Sequence, residues 1–360
     1  MGKEKVLVSA TGAVLGIMAI FLVLQGNPAN MGYCIACFLR DISGGLGFHR
    51  AEVVQYVRPE ILGLILGAFI TAILRKDFKV VGGSSAFTRF TLAMVGMVGM
   101  LIFLGCPVRA VLRLSAGDLN AGVGILGLIV GIWVGVIFLN NGFTLGKAEP
   151  QNKANGYLFP SMALLLLIML VAGSTLFFYS TEGPGSMHAP LLISLVSGLL
   201  LGVLAQRSHF CMIGGIRDFI FFRDNHLLFG FFALLVVAFI GNLSLGFFNL
   251  GFAGQPIAHT DGVWNFLGMA LGGWASVLLG GCPLRQIVAG SEGNTDCMVT
   301  VAGFMAGAAL AHNMGLAAGA GGVPEAGKYA AVLGFAVVFL ISYFNVYANK
   351  RSVISFGQNN

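Results

Sequence analysis

Ten stretches of this chain are long, apolar and almost free of charge. They are Val6–Leu24, Val57–Leu74, Phe90–Gly105, Leu119–Leu139, Phe159–Tyr179, Pro190–Ala205, Leu228–Leu250, Val263–Gly281, Met298–Met314 and Tyr329–Tyr347. A helix needs about 20 such residues to cross about 30 Å of hydrocarbon. In lipid each backbone polar group must be satisfied internally, which favours helices for runs of this kind. Ten runs in succession therefore predict an all-α polytopic membrane protein of about ten spans, the second and sixth being short. Composition agrees. Charged residues are 9% of the chain and apolar ones 57%, against roughly 25% charged in an ordinary soluble domain. Too little polar surface is present to cover a cytosolic globule, and too much apolar surface for a disordered chain. The net charge of +6 is spread over short loops with no basic patch, so nucleic acid is not an expected partner. The chain reads as one membrane domain over 1–360, with the lipid bilayer as its surroundings.

Lysine and arginine report sidedness. Lys3 and Lys5, the group Arg75, Lys76, Lys79 and Arg89, then Lys147 and Lys153, and finally Lys350 and Arg351 fall on alternate loops. Ser180–Ala189 and Gly251–Gly262 carry none, and the last outside loop has only Lys328. This alternation predicts a multi-pass protein of the cell (inner) membrane with both termini cytoplasmic. Arg40, Arg50 and Arg58 in the first outside loop, and Arg109 and Arg113 in the third, break the rule.

An internal repeat accounts for these exceptions. Residues 105–131 align with 281–307 without gaps, sharing Gly105/Gly281, Cys106/Cys282, Pro107/Pro283, Arg109/Arg285, Ser115/Ser291, Gly117/Gly293, Val123/Val299, Gly127/Gly303 and Gly131/Gly307. Upstream, Cys34-x5-Arg40-Asp41 matches Cys211-x5-Arg217-Asp218. The chain thus reads as a duplication, 6–179 and 183–347, of five spans each. An odd number of spans inverts the second copy about an axis in the membrane plane, and sites in such folds lie at the repeat interface on broken helices. The four motif segments are expected to dip back as re-entrant half-helices, whose irregular backbone is tolerated where protein or a cavity surrounds it.

In Gly-Cys-Pro-x-Arg, proline suits the first helical position, where its missing N–H costs nothing. Cys106 and Cys282 then stand at half-helix N-termini, where free N–H groups and the positive dipole end favour an anion, with Arg109 and Arg285 one turn on. The alternative is a proline kink beside a structural cysteine. Duplication, together with Cys34 and Cys211, favours a substrate pathway of Cys34, Cys37, Cys106, Cys211, Cys282, Arg109 and Arg285. Gly214 stands where Cys37 stands in the first copy, so Cys37 is dispensable by symmetry. Arg40–Asp41 and Arg217–Asp218 read as structural ion pairs, because unpaired charge at that depth is expensive. Asp118 and Glu292 follow the half-helices and read as caps, and His209 precedes Cys211 by two residues. Cys297 reads as peripheral. The histidines and cysteines show no metal-ligand spacing, and no cofactor is expected.

With Gly105-Cys106-Pro107-x-Arg109, Ser115-Ala116-Gly117-Asp118-Leu119-Asn120, Gly281-Cys282-Pro283-Leu284-Arg285 and Arg207-Ser208-His209-Phe210-Cys211, the chain resembles the YeeE/YedE sulfur-transport membrane proteins over nearly its whole length. In detail it is most similar to the YedE-related branch associated with selenium metabolism. The resemblance implies an hourglass-shaped inverted-repeat fold and uptake of a thiosulfate-like anion. The anion would pass between central cysteines through S–H hydrogen bonds. Cys106 and Cys282 match the family's Gly-Cys-Pro cysteines, and Cys34 or Cys37 its third. The resemblance also implies a small cytoplasmic sulfur-carrier protein as partner and a sulfur or selenium anion as substrate.

The expected function is therefore a transporter or channel, not an enzyme. The competing reading is a transmembrane thiol–disulfide carrier, which predicts a Cys34–Cys37 or a Cys106–Cys282 disulfide. No cysteine pair within one half is expected to recur in the other, which weighs against it. A membrane anchor for a cytosolic enzyme is disfavoured by the short loops. No nucleotide-binding motif and no intramembrane acid relay is apparent.

Overall fold

A computed structural model describes residues 2–357. Among them are fifteen helices: α1 (Lys3–Leu24), α2 (Ile35–Gly45), α3 (Pro59–Leu74), α4 (Ala86–Phe103), α5 (Pro107–Ser115), α6 (Leu119–Asn140), α7 (Lys153–Val171), the single turn α8 (Gly183–Ser186), α9 (Leu191–Ser208), α10 (Met212–Phe222), α11 (Leu228–Ser244), α12 (Gly262–Leu278), α13 (Pro283–Ser291), α14 (Thr295–Asn313) and α15 (Glu325–Gly357). Two-residue strands β1 (Val81–Gly82) and β2 (Glu149–Pro150) pair antiparallel and tie two loops together. The side chains of Lys350 and Arg351 lie outside the described residues.

Eight segments are long and apolar enough to cross a membrane, and three of these join a long helix to the short one after it: Ala86–Ser115, Leu191–Phe222 and Gly262–Ser291. This is fewer than ten apolar runs suggest. Helix α11 is apolar but only 17 residues long, and α14 has Asp296 in its first turn and His312 in its last. Helix α7 stops at Val171, not Tyr179, because Gly173 turns left-handed at φ +66° and the chain leaves the helix there. The molecule is a polytopic all-α membrane protein whose outward faces on α7 and α15 expose Leu164, Leu165, Ile168, Val332 and Leu333.

Local chemistry sets the breaks. Helix α4 ends where Leu104 adopts φ +63°, and Cys106, directly before Pro107, is extended, as a residue before proline is driven out of the helical region. Pro107 and Pro283 then open α5 and α13. Gly117 and Gly293, at φ +95° and +103°, turn the chain out of these short helices. The Asp118 and Asn294 side chains receive the first N–H groups of α6 and α14.

The order of long and short helices from α1 to α7 recurs from α9 to α15. Packing runs across this division. Helix α12 lies on α6 and α4, α14 on α4, α9 on α3 and α11 on α1. The α6–α12 contact is backbone-close, for a Cβ on Gly131 would lie 2.0 Å from Ala270 O. Small residues permit such approaches, on which helix association in lipid depends. The short helices α2, α5 and α13 sit inside this frame, α2 buried along its whole length, and α10 enters it with its first turn and a half, Met212–Ile216.

Candidate functional site

Each short helix begins at a cysteine. Cys34, Cys106, Cys211 and Cys282 are the N-cap residues of α2, α5, α10 and α13. Cys34 Sγ accepts from Cys37 N–H at 3.3 Å, and Cys211 Sγ accepts from Gly214 N–H at 3.2 Å. The thiols then meet in pairs. Cys34 Sγ lies 3.9 Å from Cys106 Sγ, and Cys211 Sγ lies 3.7 Å from Cys282 Sγ. Thus one cysteine pair does recur in both halves, contrary to the sequence expectation, and it is neither Cys34–Cys37 nor Cys106–Cys282. Partners some seventy residues apart come together because α2 and α5 converge N-terminus to N-terminus, as do α10 and α13. All six cysteines are free thiols and buried. Helix α2 packs on α13 and α10 on α5, so the two pairs belong to neighbouring elements.

Arg109 is fully buried. Its guanidinium donates to the carbonyls of Asn30 (3.1 Å), Ile257 (3.0 Å) and Leu104, and reaches Cys37 Sγ at 3.5 Å. Among the described residues no carboxylate pairs with it. Carbonyl dipoles satisfy the donors but leave the positive charge beside Cys37, which directly follows the first thiol pair in α2. A cavity of about 180 Å³ between α1, α5 and α11 is lined by Gly32, Leu112, Asn242, Phe247 and Asn30, whose carbonyl accepts from Arg109.

Its counterpart Arg285 is arranged otherwise. A carboxylate, Glu292, stands 3.3 Å from Nη2 and 3.4 Å from Nη1, and the pair is partly exposed. His209, the left-handed residue that ends α9, lies 4.0 Å from the same carboxylate.

The ion pairs differ in the same sense. Asp41 is gripped by Arg40 and by Arg58, each at 2.7 Å, with almost no exposure. Among the described residues Asp218 pairs with Arg217 alone, at 2.8 Å and in a part-exposed setting. Arg113 and Asp118 form a third buried pair at 2.6 Å, with the Arg113 guanidinium 4.3 Å from the Phe103 ring centre. Among the described residues no cluster of three His, Cys, Asp or Glu side chains is disposed for a metal ion.

Residues 207–349 match the model of a family described as sulphur transport. Over 123 residues the chain is 32% identical to the thiosulfate transporter TsuA of Escherichia coli (strain K12). That alignment covers 33% of each protein, so the chain matches about a third of the length of this curated relative. Both likenesses are to sulphur-transport proteins, and each covers less than half of the chain.

The segment matched to this family carries Cys211, Cys282, Arg285 and Glu292, while Cys34, Cys37, Cys106 and Arg109 precede it. Two of the site's features escaped sequence reasoning. Arg58 broke the charge rule but had no assigned partner, and it completes a triad on Asp41. Glu292 read as a cap, yet Asn294 caps α14 and the Glu292 carboxylate turns back to Arg285, one face and seven residues earlier. Asp118 does cap α6, through Asn120 N–H at 2.9 Å. Cys297 is buried in the first turn of α14, its N–H bound to Asn294 Oδ1 at 3.2 Å. Glu60 is a buried acid within the second apolar run; one of its oxygens accepts from Asn27 and Ser194.

Proposed function

We propose that this protein carries a small reduced-sulfur anion of the thiosulfate class across the membrane, handing it between the Cys34–Cys106 and Cys211–Cys282 thiol pairs. The single observation that carries the reading is that all four thiols sit at helix N-termini and meet two by two at 3.9 and 3.7 Å. Helix N-termini attract negative charge. Neutral S–H groups donate to an anion, whereas thiolates would repel it. Buried Arg109, without a carboxylate partner among the described residues, adds positive charge without closing the site. Cys37 and Arg285 complete the lining. The matched relative's description as a thiosulfate transporter supports the substrate class.

In this reading the two halves, 6–179 and 183–347, are inverted copies of five helices each, and the four short helices form a central constriction. Both termini face the cytoplasm of a cell whose inner membrane holds the protein. A small cytoplasmic sulfur-carrier protein takes over the delivered sulfur. The chemistry of the site does not distinguish sulfur from selenium, so selenium analogues are alternative cargoes.

Uptake of labelled thiosulfate into proteoliposomes tests this. Cys106→Ala and Cys282→Ala are each expected to reduce uptake at least tenfold with the fold intact, and undiminished uptake in both refutes the relay. A parallel series with selenium oxyanions decides the cargo. The duplicated pairing favours one second reading, a thiol–disulfide carrier. Serine variants separate the two. An O–H group still donates to an anion, so Cys34→Ser retains partial uptake in the transport reading, while a Cys34–Cys106 disulfide is abolished.

A further inference from the structure

Arg285 and Glu292 make a loosely held pair beside the second thiol site. Charge-assisted N–H···O contacts usually measure 2.7–2.9 Å, and the pairs at Asp41 and Asp118 meet that standard at 2.7 and 2.6 Å. The Arg285–Glu292 contacts are 3.3 and 3.4 Å, with both side chains partly reachable from outside. Arg285 also lies against the second thiol pair. A Cβ added to Gly281 would lie 3.0 Å from Arg285 Cγ and 3.5 Å from Cys211 Sγ. The stem of Arg285 thus runs near Cys211, while its guanidinium is occupied by the Glu292 carboxylate. The backbone of Glu292 is fixed independently, its carbonyl accepting from Lys79 N–H at 3.0 Å, so the side chain can leave without moving the loop. In the aligned first copy Ala116 replaces Glu292 and Arg109 is held by neutral carbonyls instead.

We propose that Glu292 is a stand-in anion that occupies Arg285 until a substrate anion displaces it, making Glu292 a positioning and specificity residue of the second thiol site alone. A dianion outcompetes one carboxylate for the guanidinium, whereas monoanions such as chloride do so poorly, so the carboxylate filters by charge. The proposal rests on the anion-transport reading above.

The test is binding of thiosulfate and of chloride to the purified full-length protein, alongside thiosulfate uptake. Glu292→Gln removes the competing charge but keeps the shape. It is expected to bind thiosulfate about two- to fivefold more tightly, the scale of one part-exposed ion pair, to lower the KM of uptake, and to lose discrimination against chloride. Glu292→Asp, with a shorter reach, is expected to shift affinity in the same direction. In an Arg285→Gln background the Glu292 change has no further effect. A purely structural role predicts a lower maximal rate with unchanged affinity. Unchanged or weaker thiosulfate binding in both Glu292 variants overturns the proposal even where wild-type uptake is normal. Tighter binding without any wild-type uptake upholds the displaced carboxylate and refutes transport.

Discussion

Around Cys34 and Cys106 the charged groups are sealed inside protein, whereas around Cys211 and Cys282 their counterparts reach the outside. Arg40, Asp41 and Arg58 form a closed triad, and Arg109 is wrapped in carbonyls. Arg217 and Asp218 keep roughly a fifth to a third of their side-chain surface, at 29% and 21%, and Arg285 keeps 25%. The thiol geometry is nonetheless almost the same in both. The difference teaches that the duplicated motif fixes where the sulfur atoms meet, while the unduplicated residues decide how firmly each site is anchored. A buried ion pair holds geometry at the cost of desolvation, and removing one partner leaves a charge stranded. An exposed pair is worth little and can be exchanged.

The sharpest way to break this comparison is at the two aspartates. Asp41→Asn strands two buried guanidinium groups and is expected to cost about 3–5 kcal/mol, seen as a large fall in Tm of the detergent-solubilised protein or as failure to fold. Asp218→Asn is expected to cost about 1 kcal/mol or less. Equal losses would show that the two sites are anchored alike. A smaller contrast is expected at the helix starts. Asp118→Ala removes both the cap of α6 and the partner of buried Arg113, whereas Asn294→Ala removes only a cap, worth about 1 kcal/mol, so the first variant should unfold at clearly lower temperature.

The smallest effect concerns pH. His49 and His259, in loops next to the first site, are both held below the usual histidine range by burial. Each ring uses both nitrogens, the Nε2 atoms facing Arg40 O at 3.0 Å and Ile102 O at 2.8 Å, while Nδ1 accepts from Ala51 and Asp261 N–H. This arrangement needs the neutral ring. A depressed folded-state pKa means that the unfolded chain takes up the proton first. Stability is therefore full above about pH 6.5 and declines as pH falls below it. Melting curves between pH 7.5 and 5.5 should show this decline, and His49→Gln with His259→Gln should flatten it.

Much of the frame was legible because helix length in a bilayer is dictated by hydrocarbon thickness, and the apolar runs report it directly. The half-helices were legible from Cys106-Pro107 and Cys282-Pro283, since proline after a cap has few other uses. What escaped was tertiary. The meeting of Cys34 with Cys106 depends on how two helix ends converge, and no local pattern records that. The partner of Glu292 escaped for a related reason: its position after α13 suggests a cap, and only the side chain's turn back along the helix gives it to Arg285. Arg58 joined Asp41 because the loop after α2 folds back over it, bringing Tyr56 N–H to Asp41 O at 3.1 Å.

The crosswise packing of the long helices carries a consequence for how the molecule is made. The main neighbours of α1, α3, α4 and α6 are α11, α9, α12 with α14, and α12, all of which leave the ribosome later. Their glycine-lined contacts, Gly131 on Ala270 and Gly63 on Leu195 among them, have no substitute within the first half. That half must wait in the bilayer as loosely associated helices until its later neighbours are inserted, so cutting the chain near residue 180 and supplying both pieces together should rebuild the protein, while either piece alone should be degraded.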